Sequence, residues 1–177
     1  IRFIPEWAQP LTLANFVLIG LSSGLVLACA LAAWQQQRAL LLAAAPIALA
    51  LTLAAAVSRL AALARNARLP LRSTLQSATG IRSPRVTQIS RGMTAGAFNT
   101  QEFFHGRTPA RLRQVRGFFL LFGFALPALL LVVGLVSGAA WPWGAALLLQ
   151  APGLVAERWF FLAQARHPQN LYYQTVS

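Results

Sequence analysis

Four apolar stretches, each of at least about twenty residues, set the strongest limit on what this chain can become. They cover residues 11–34, 39–60, 117–136 and 141–165. A helix rises 1.5 Å per residue, so each stretch is long enough to cross a hydrocarbon core of roughly 30 Å. Lipid offers no partner to a backbone amide, so such segments must pair their hydrogen bonds internally, as helices. The expected fold is all-α, a polytopic helical bundle of about four transmembrane helices forming a single membrane domain over residues 1–177.

Composition points the same way. Charged residues make up 10% of the chain and hydrophobic ones 57%, where a soluble domain carries about 25% charged residues. The charge is also one-signed, with fifteen arginines, no lysine, and the acids Glu6, Glu102 and Glu157. A net charge of +12 raises the question of nucleic acid. The arginines, however, crowd one loop between apolar stretches, where membrane topology puts them. Cys29 stands alone inside an apolar stretch, so neither a disulfide nor a thiolate metal site can form within the chain. The chain begins with Ile1, which leads us to expect upstream sequence, and no stretch has the form of a signal peptide.

Within the first span Gly20 and Gly24 form a Gly-x-x-x-Gly pair that predicts close approach of another helix. A short Gln35–Arg38 turn leads into the second span, with Pro46 in its first turns and Arg59 near its far end, positioned to snorkel. Residues 61–114 form a basic loop: ten arginines lie between Arg65 and Arg116 against the one acid Glu102. Asn99 with Glu102 resembles a capping box, and Thr108–Pro109 reads as the cap and first residue of a helix. Pro127 is expected to kink the third span, and Pro152–Gly153 to break the fourth. Arginine distribution predicts a cytoplasmic 61–114 loop, with residues 1–10 and the tail on the same side; only Arg38 departs from the rule.

Candidate chemistry rests on polar residues that lipid should reject. Glu157 and Arg158 lie sixteen residues past Trp141, roughly 24 Å along the helix. Asn15, Arg59 and Gln150 reach comparable or adjoining depths. Together these five predict a polar pocket suited to a quinone, whose head needs hydrogen-bonding or proton-transferring groups beside an apolar slot. The plainer reading is an ion pair that holds the bundle together. Adjacent helical positions point about 100° apart, so Glu157 and Arg158 are each expected to seek a partner on another helix or another protein of the complex. His105 and His167 fall outside the spans, so no haem is expected in this chain. In the basic loop, Phe103, Phe104, His105, Arg107, Arg111 and Arg113 are candidates for docking a soluble partner, beside simple attraction to anionic lipid.

Three segments carry a resemblance to a known family. Ile4-Pro5-Glu6-Trp7 with Pro10-Leu11-Thr12, Phe98-Asn99-Thr100-Gln101-Glu102-Phe103-Phe104-His105-Gly106, and Glu157-Arg158-Trp159-Phe160-Phe161 with His167-Pro168-Gln169-Asn170 resemble the DmsC family. These are the membrane anchors of dimethyl sulfoxide reductase and of related sulfite dehydrogenases. The resemblance spans the chain and implies that it is the C-terminal half of an anchor with roughly twice as many helices. It further implies a haem-free subunit of the bacterial inner membrane that exchanges electrons between menaquinone or ubiquinone and an iron–sulfur subunit. That partner would serve a catalytic subunit holding a molybdenum bis-pterin guanine dinucleotide centre. The family's quinol-associated histidine lies in the other half of such an anchor, so it maps to no residue of this chain. Two other readings stay open: a secondary transporter or channel fragment, which a helix unwound at Pro152–Gly153 would suit, and a purely structural assembly protein.

Overall fold

The computed structural model describes residues 4–70, 74–86 and 108–165. All regular structure among the described residues is helical. Four helical segments, including 10–34, 38–67 and 141–163, are long and apolar enough to cross a membrane, so this is a multi-pass membrane protein. Leucines and valines point outward along them, as at Leu13, Val57, Leu148 and Val155, giving the apolar exterior that lipid requires.

Helix α1, Pro10–Trp34, starts on a proline, whose missing amide donor costs nothing in the first turn. A tight turn with Gln36 at φ 57° reverses the chain into α2, Arg38–Ala67. This helix runs seven residues beyond the expected end at residue 60, so Arg59 lies inside it rather than at a snorkelling terminus. The basic segment that follows includes the short helix α3, Leu75–Thr79, opened by a Thr74–Ser77 capping box. Helix α4, Pro109–Leu120, begins as the Thr108–Pro109 pair predicts, with Thr108 Oγ1 accepting from the Arg111 amide at 3.4 Å. The expected 61–114 loop is therefore helical at both ends.

The third span is one continuous helical path: α4, a π-helical turn over Leu121–Ala125, and α5, Leu126–Ser137. The disturbance expected at Pro127 appears as this wide turn immediately before it. Proline has no amide donor for the carbonyl four residues back, and a π turn redistributes the neighbouring bonds. Gly138 closes α5 in the left-handed conformation at φ 65°.

Helix α6, Trp141–Ala163, passes through Pro152 without interruption, contrary to the expected break. Gly153 explains what its position is for. A Cβ placed there would lie 2.5 Å from the Phe122 carbonyl carbon and 2.6 Å from Gly123 Cα, so only glycine permits this helix crossing. Gly20 and Gly24, by contrast, meet nothing within 4 Å. That pair faces outward and makes no crossing among the described residues.

Helices α1 and α2 pack as a hairpin, while α6 touches α1, α4, the π turn and α5. Near the α1–α2 turn the core is apolar, built from Val26, Cys29, Ala45, Ala48, Leu131 and Ala146 with Trp143. Toward the arginine-rich end it turns aromatic, with Phe119, Phe124 and Phe160 around Ile19, Ala55 and Leu63.

Candidate functional site

Among the described helical residues, two buried charges face each other across α2 and α6. Glu157, on α6, is fully buried, and Arg59 of α2 is 1% exposed. Arg59 Nε lies 2.6 Å from Glu157 Oε1. The other carboxylate oxygen, Oε2, is held by its neighbour Arg158, whose Nε and Nη2 both lie 2.5 Å away. This direct pairing of adjacent helical residues departs from the expectation drawn from their angular offset. The long arginine stem folds back far enough to overcome it. Thus one carboxylate serves two guanidiniums, one inside the bundle and one reaching outward.

Aromatic rings frame both arginines. The Arg59 guanidinium carbon stands 5.6 Å from the Phe119 ring centre and 5.9 Å from that of Phe161. Arg158 stacks 4.2 Å from the centre of Phe16 on α1 and 5.4 Å from that of Phe161, distances at which a cation is drawn to a ring face. Phe161 meets Phe16 edge-on at 5.4 Å and Trp7 in a stack at 5.5 Å. The Arg158 side chain keeps 31% of its surface exposed. It lies between Phe16 of α1 and Phe161 of α6, partly exposed to the surroundings, with Glu157 behind it.

The five residues picked from the sequence do not form one pocket. Arg59, Glu157 and Arg158 meet; Gln150 belongs to a separate polar node nearer the membrane middle. There Ser22 and Thr52 share a 2.8 Å hydrogen bond, and Gln150 Nε2 donates to Ser22 Oγ at a long 3.5 Å. Thr52 also donates to the Ala48 carbonyl at 2.7 Å. Asn15 is buried on α1 with its Oδ1 unpartnered. Sequence reading passed over Ser22 and Thr52 as members of this node. Their signal was a polar residue seven positions from each deeper one: Asn15 and Ser22, Thr52 and Arg59, Gln150 and Glu157.

An apolar groove of about 750 Å³ lies between α4 and α6, lined by Gln114, Val115, Phe118, Pro152, Ala156 and Trp159 among others. Its α6 residues sit on the side of that helix opposite Glu157, at 100° per residue, so the groove does not open onto the ion cluster. Of the docking candidates, Arg111 and Arg113 are exposed at the start of α4. Phe103, Phe104, His105 and Arg107 lie outside the described residues. Among the described residues no group of His, Cys, Asp and Glu is arranged to hold a metal ion.

At the arginine-rich end the chain folds back over its own helices. Trp7 Nε1 donates to the Phe161 carbonyl at 3.2 Å, Arg65 to the Pro5 carbonyl at 3.2 Å, and Gln9 Nε2 to Asn66 Oδ1 at 3.4 Å. These contacts join the residues before α1 to the last turns of α2 and α6.

No protein-family model matches the chain, and no solved structure does. Across all 177 residues the chain is 45% identical to a sulfite dehydrogenase subunit of Allochromatium vinosum, and it covers 54% of that protein. The likeness is therefore complete along this chain, which spans about half the length of the curated relative it matches.

Proposed function

We propose that this chain is part of the membrane anchor of a quinone-linked, sulfite dehydrogenase-type complex, and that it corresponds to the C-terminal half of a DmsC-like anchor. In this reading it exchanges electrons between the quinone pool and a soluble iron–sulfur subunit, which serves a molybdenum bis-pterin guanine dinucleotide catalytic subunit. The observation that carries the proposal is the whole-length similarity to a sulfite dehydrogenase subunit. The arginine-rich end faces the cytoplasm of the bacterial inner membrane. There the exposed Arg111 and Arg113 offer the iron–sulfur partner a docking surface.

In this reading the quinone head sits in a crevice at the exposed end of Arg158, between α1 and α6. Phe16, itself exposed, offers it an aromatic surface beside the guanidinium. The exposed part of Arg158 supplies hydrogen-bond donors for a carbonyl oxygen. Glu157, directly behind, fixes the direction of the Arg158 guanidinium through Oε2. A bound quinone supplies the proton-coupled redox couple; the chain orients it and keeps bulk water away. Arg59 is buried behind Arg158 and acts as a positioning residue through Glu157, while Asn15 is buried on α1 and Gln150 belongs to the separate Ser22–Thr52 node.

The test is Arg158→Leu in the assembled complex. Loss of one charge-assisted hydrogen bond should raise the KM for quinone about tenfold, the equivalent of about 1.4 kcal/mol, while membranes keep the soluble subunits. Unchanged quinone kinetics in that variant remove the crevice from the reaction. A transporter or channel fragment is the weaker reading, because α6 is unbroken at Pro152–Gly153, where an unwound helix would have favoured it.

A further inference from the structure

The groove between α4 and α6 is an apolar slot that opens outward near the arginine-rich end. Gln114, Val115 and Phe118 form one wall, and Pro152, Val155 and Trp159 the other. Each set shares one face of its helix. The two helices run in opposite directions here: α4 starts at the arginine-rich end and α6 finishes there. Trp159 therefore marks the mouth of the slot and Pro152 its floor. Seven residues separate them, about 10.5 Å of rise, against roughly 15 Å for half of the hydrocarbon core. The slot thus lies within one leaflet. Its volume of about 750 Å³ falls in the range of about 300–1,000 Å³ usual for ligand pockets.

Charge stands directly above this slot. Arg111 precedes Gln114, Val115 and Phe118 by three, four and seven positions, so it continues their stripe one turn nearer the headgroups. Helix α4 carries Arg111, Arg113 and Arg116 and no acid. Arg113 lies about 200° round the helix from Arg111, on the other side. Arg111 thus belongs to the groove as well as to the α4 surface offered to a soluble partner, and Arg113 to that surface alone. Below Arg111 the lining is apolar apart from Gln114 and the Trp159 indole. Trp159 stands at the depth where indole rings settle at a membrane interface.

We propose that this groove holds one acyl chain of an anionic phospholipid whose phosphate rests on Arg111. A fixed guanidinium one turn above a hydrocarbon-lined slot is complementary to an amphiphile with a negative head and an apolar tail. Gln114, at the upper edge, offers an amide to the polar region between phosphate and chain. A quinone is uncharged at both head and tail and would leave the guanidinium unused. A zwitterionic lipid fits the slot equally well, but its cationic group opposes Arg111. The lipid site does not depend on the quinone reading, because the groove lies on the side of α6 away from Glu157.

The test is photo-crosslinking of the full chain in phosphatidylcholine vesicles that contain a minor fraction of phosphatidylglycerol with a diazirine in one acyl chain. Adducts are mapped by mass spectrometry and normalised to those at Leu13, which is exposed on α1 near the same end. They should concentrate on Phe118, Val155 and Trp159, about fivefold above those from diazirine-bearing phosphatidylcholine. Arg111→Gln should abolish this preference, Arg111→Lys should keep it, and Arg113→Gln should leave it unchanged. Val155→Trp, at a position 71% exposed, fills the slot without entering the core and should lower adducts at Phe118 and Trp159 from both lipids. Equal yields from the two lipids in the unaltered chain, or a preference that survives Arg111→Gln, refute the anionic site. Undiminished adducts at Phe118 and Trp159 in Val155→Trp put the chain outside the groove and refute it too. If excess short-chain quinone displaces the adducts while unlabelled phosphatidylglycerol does not, the groove is a quinone slot and the lipid is overturned. The Arg158→Leu kinetics judge the quinone reading separately, whichever result is found here.

Discussion

Arg59 Nε and Glu157 Oε1 lie 2.6 Å apart with both side chains essentially inaccessible, so α2 and α6 are joined by charge in the bundle interior. Removing Glu157 leaves Arg59 buried without its counter-charge, whereas removing Arg59 leaves Glu157 still held by Arg158. Glu157→Gln alone should therefore destabilise the bundle by about 3–5 kcal/mol, Arg59→Gln by less, and the Arg59→Gln/Glu157→Gln double variant should recover most of the Glu157→Gln loss. Thermal unfolding in mild detergent, run as a double-mutant cycle, measures the coupling. Additive single effects would mean that the pair holds nothing together.

The Gly153–Gly123 crossing leaves no room for a side chain at Gly153. Gly153→Ala pushes a methyl into the backbone at Phe122 and Gly123. It should cost about 1–3 kcal/mol as overpacking, whereas Gly20→Ala, with open space around it, should change stability little. Equal melting temperatures for the two variants would contradict the crossing.

At the mid-membrane node, Thr52 hydroxyl contacts reach both Ser22 and the Ala48 carbonyl. Hydrogen bonds between membrane helices average about 0.6 kcal/mol. Thr52→Val should thus weaken the bundle by about that amount, and Ser22→Ala in the Thr52→Val background should add almost nothing. A full second loss would show that the long Gln150 contact to Ser22 carries weight of its own.

Cys29 lies in the apolar cluster near the α1–α2 turn and is fully buried. A water-soluble maleimide should leave it unmodified in intact membranes and label it once the protein is unfolded in strong detergent. Rapid labelling in membranes would place water where the core is expected to exclude it.

If the proposed anchor role holds, reversing charge at Arg111 and Arg113, both exposed at the start of α4, should release the proposed soluble partner from membranes, and more readily at high salt. Full retention at every salt concentration would assign these arginines to lipid.

The spans were legible because length and apolarity are properties of the sequence itself, and lipid leaves such segments one backbone solution. What escaped was local and three-dimensional. Pro152 looked like a breaker, yet α6 passes through it, because the residue that matters at this level is Gly153 against Gly123. Arg59 looked like a snorkelling terminus, yet α2 continues to Ala67 and a carboxylate from α6 waits inside. Glu157 and Arg158 were visible as residues out of place in lipid. Their partners depended on how α1 and α2 register against α6, which the spacing within any single helix does not encode. The pairing across that register is what separated Gln150 from the ion cluster.

Trp7 donates to the Phe161 carbonyl and stacks on the Phe161 ring, fastening the residues ahead of α1 to the closing turns of α6. Mechanically, this makes the four spans a clasped ring instead of an open row. Separating α1 from α6 must first undo this latch, so the residues before α1 and the last turn of α6 should loosen in concert while the α1–α2 hairpin holds.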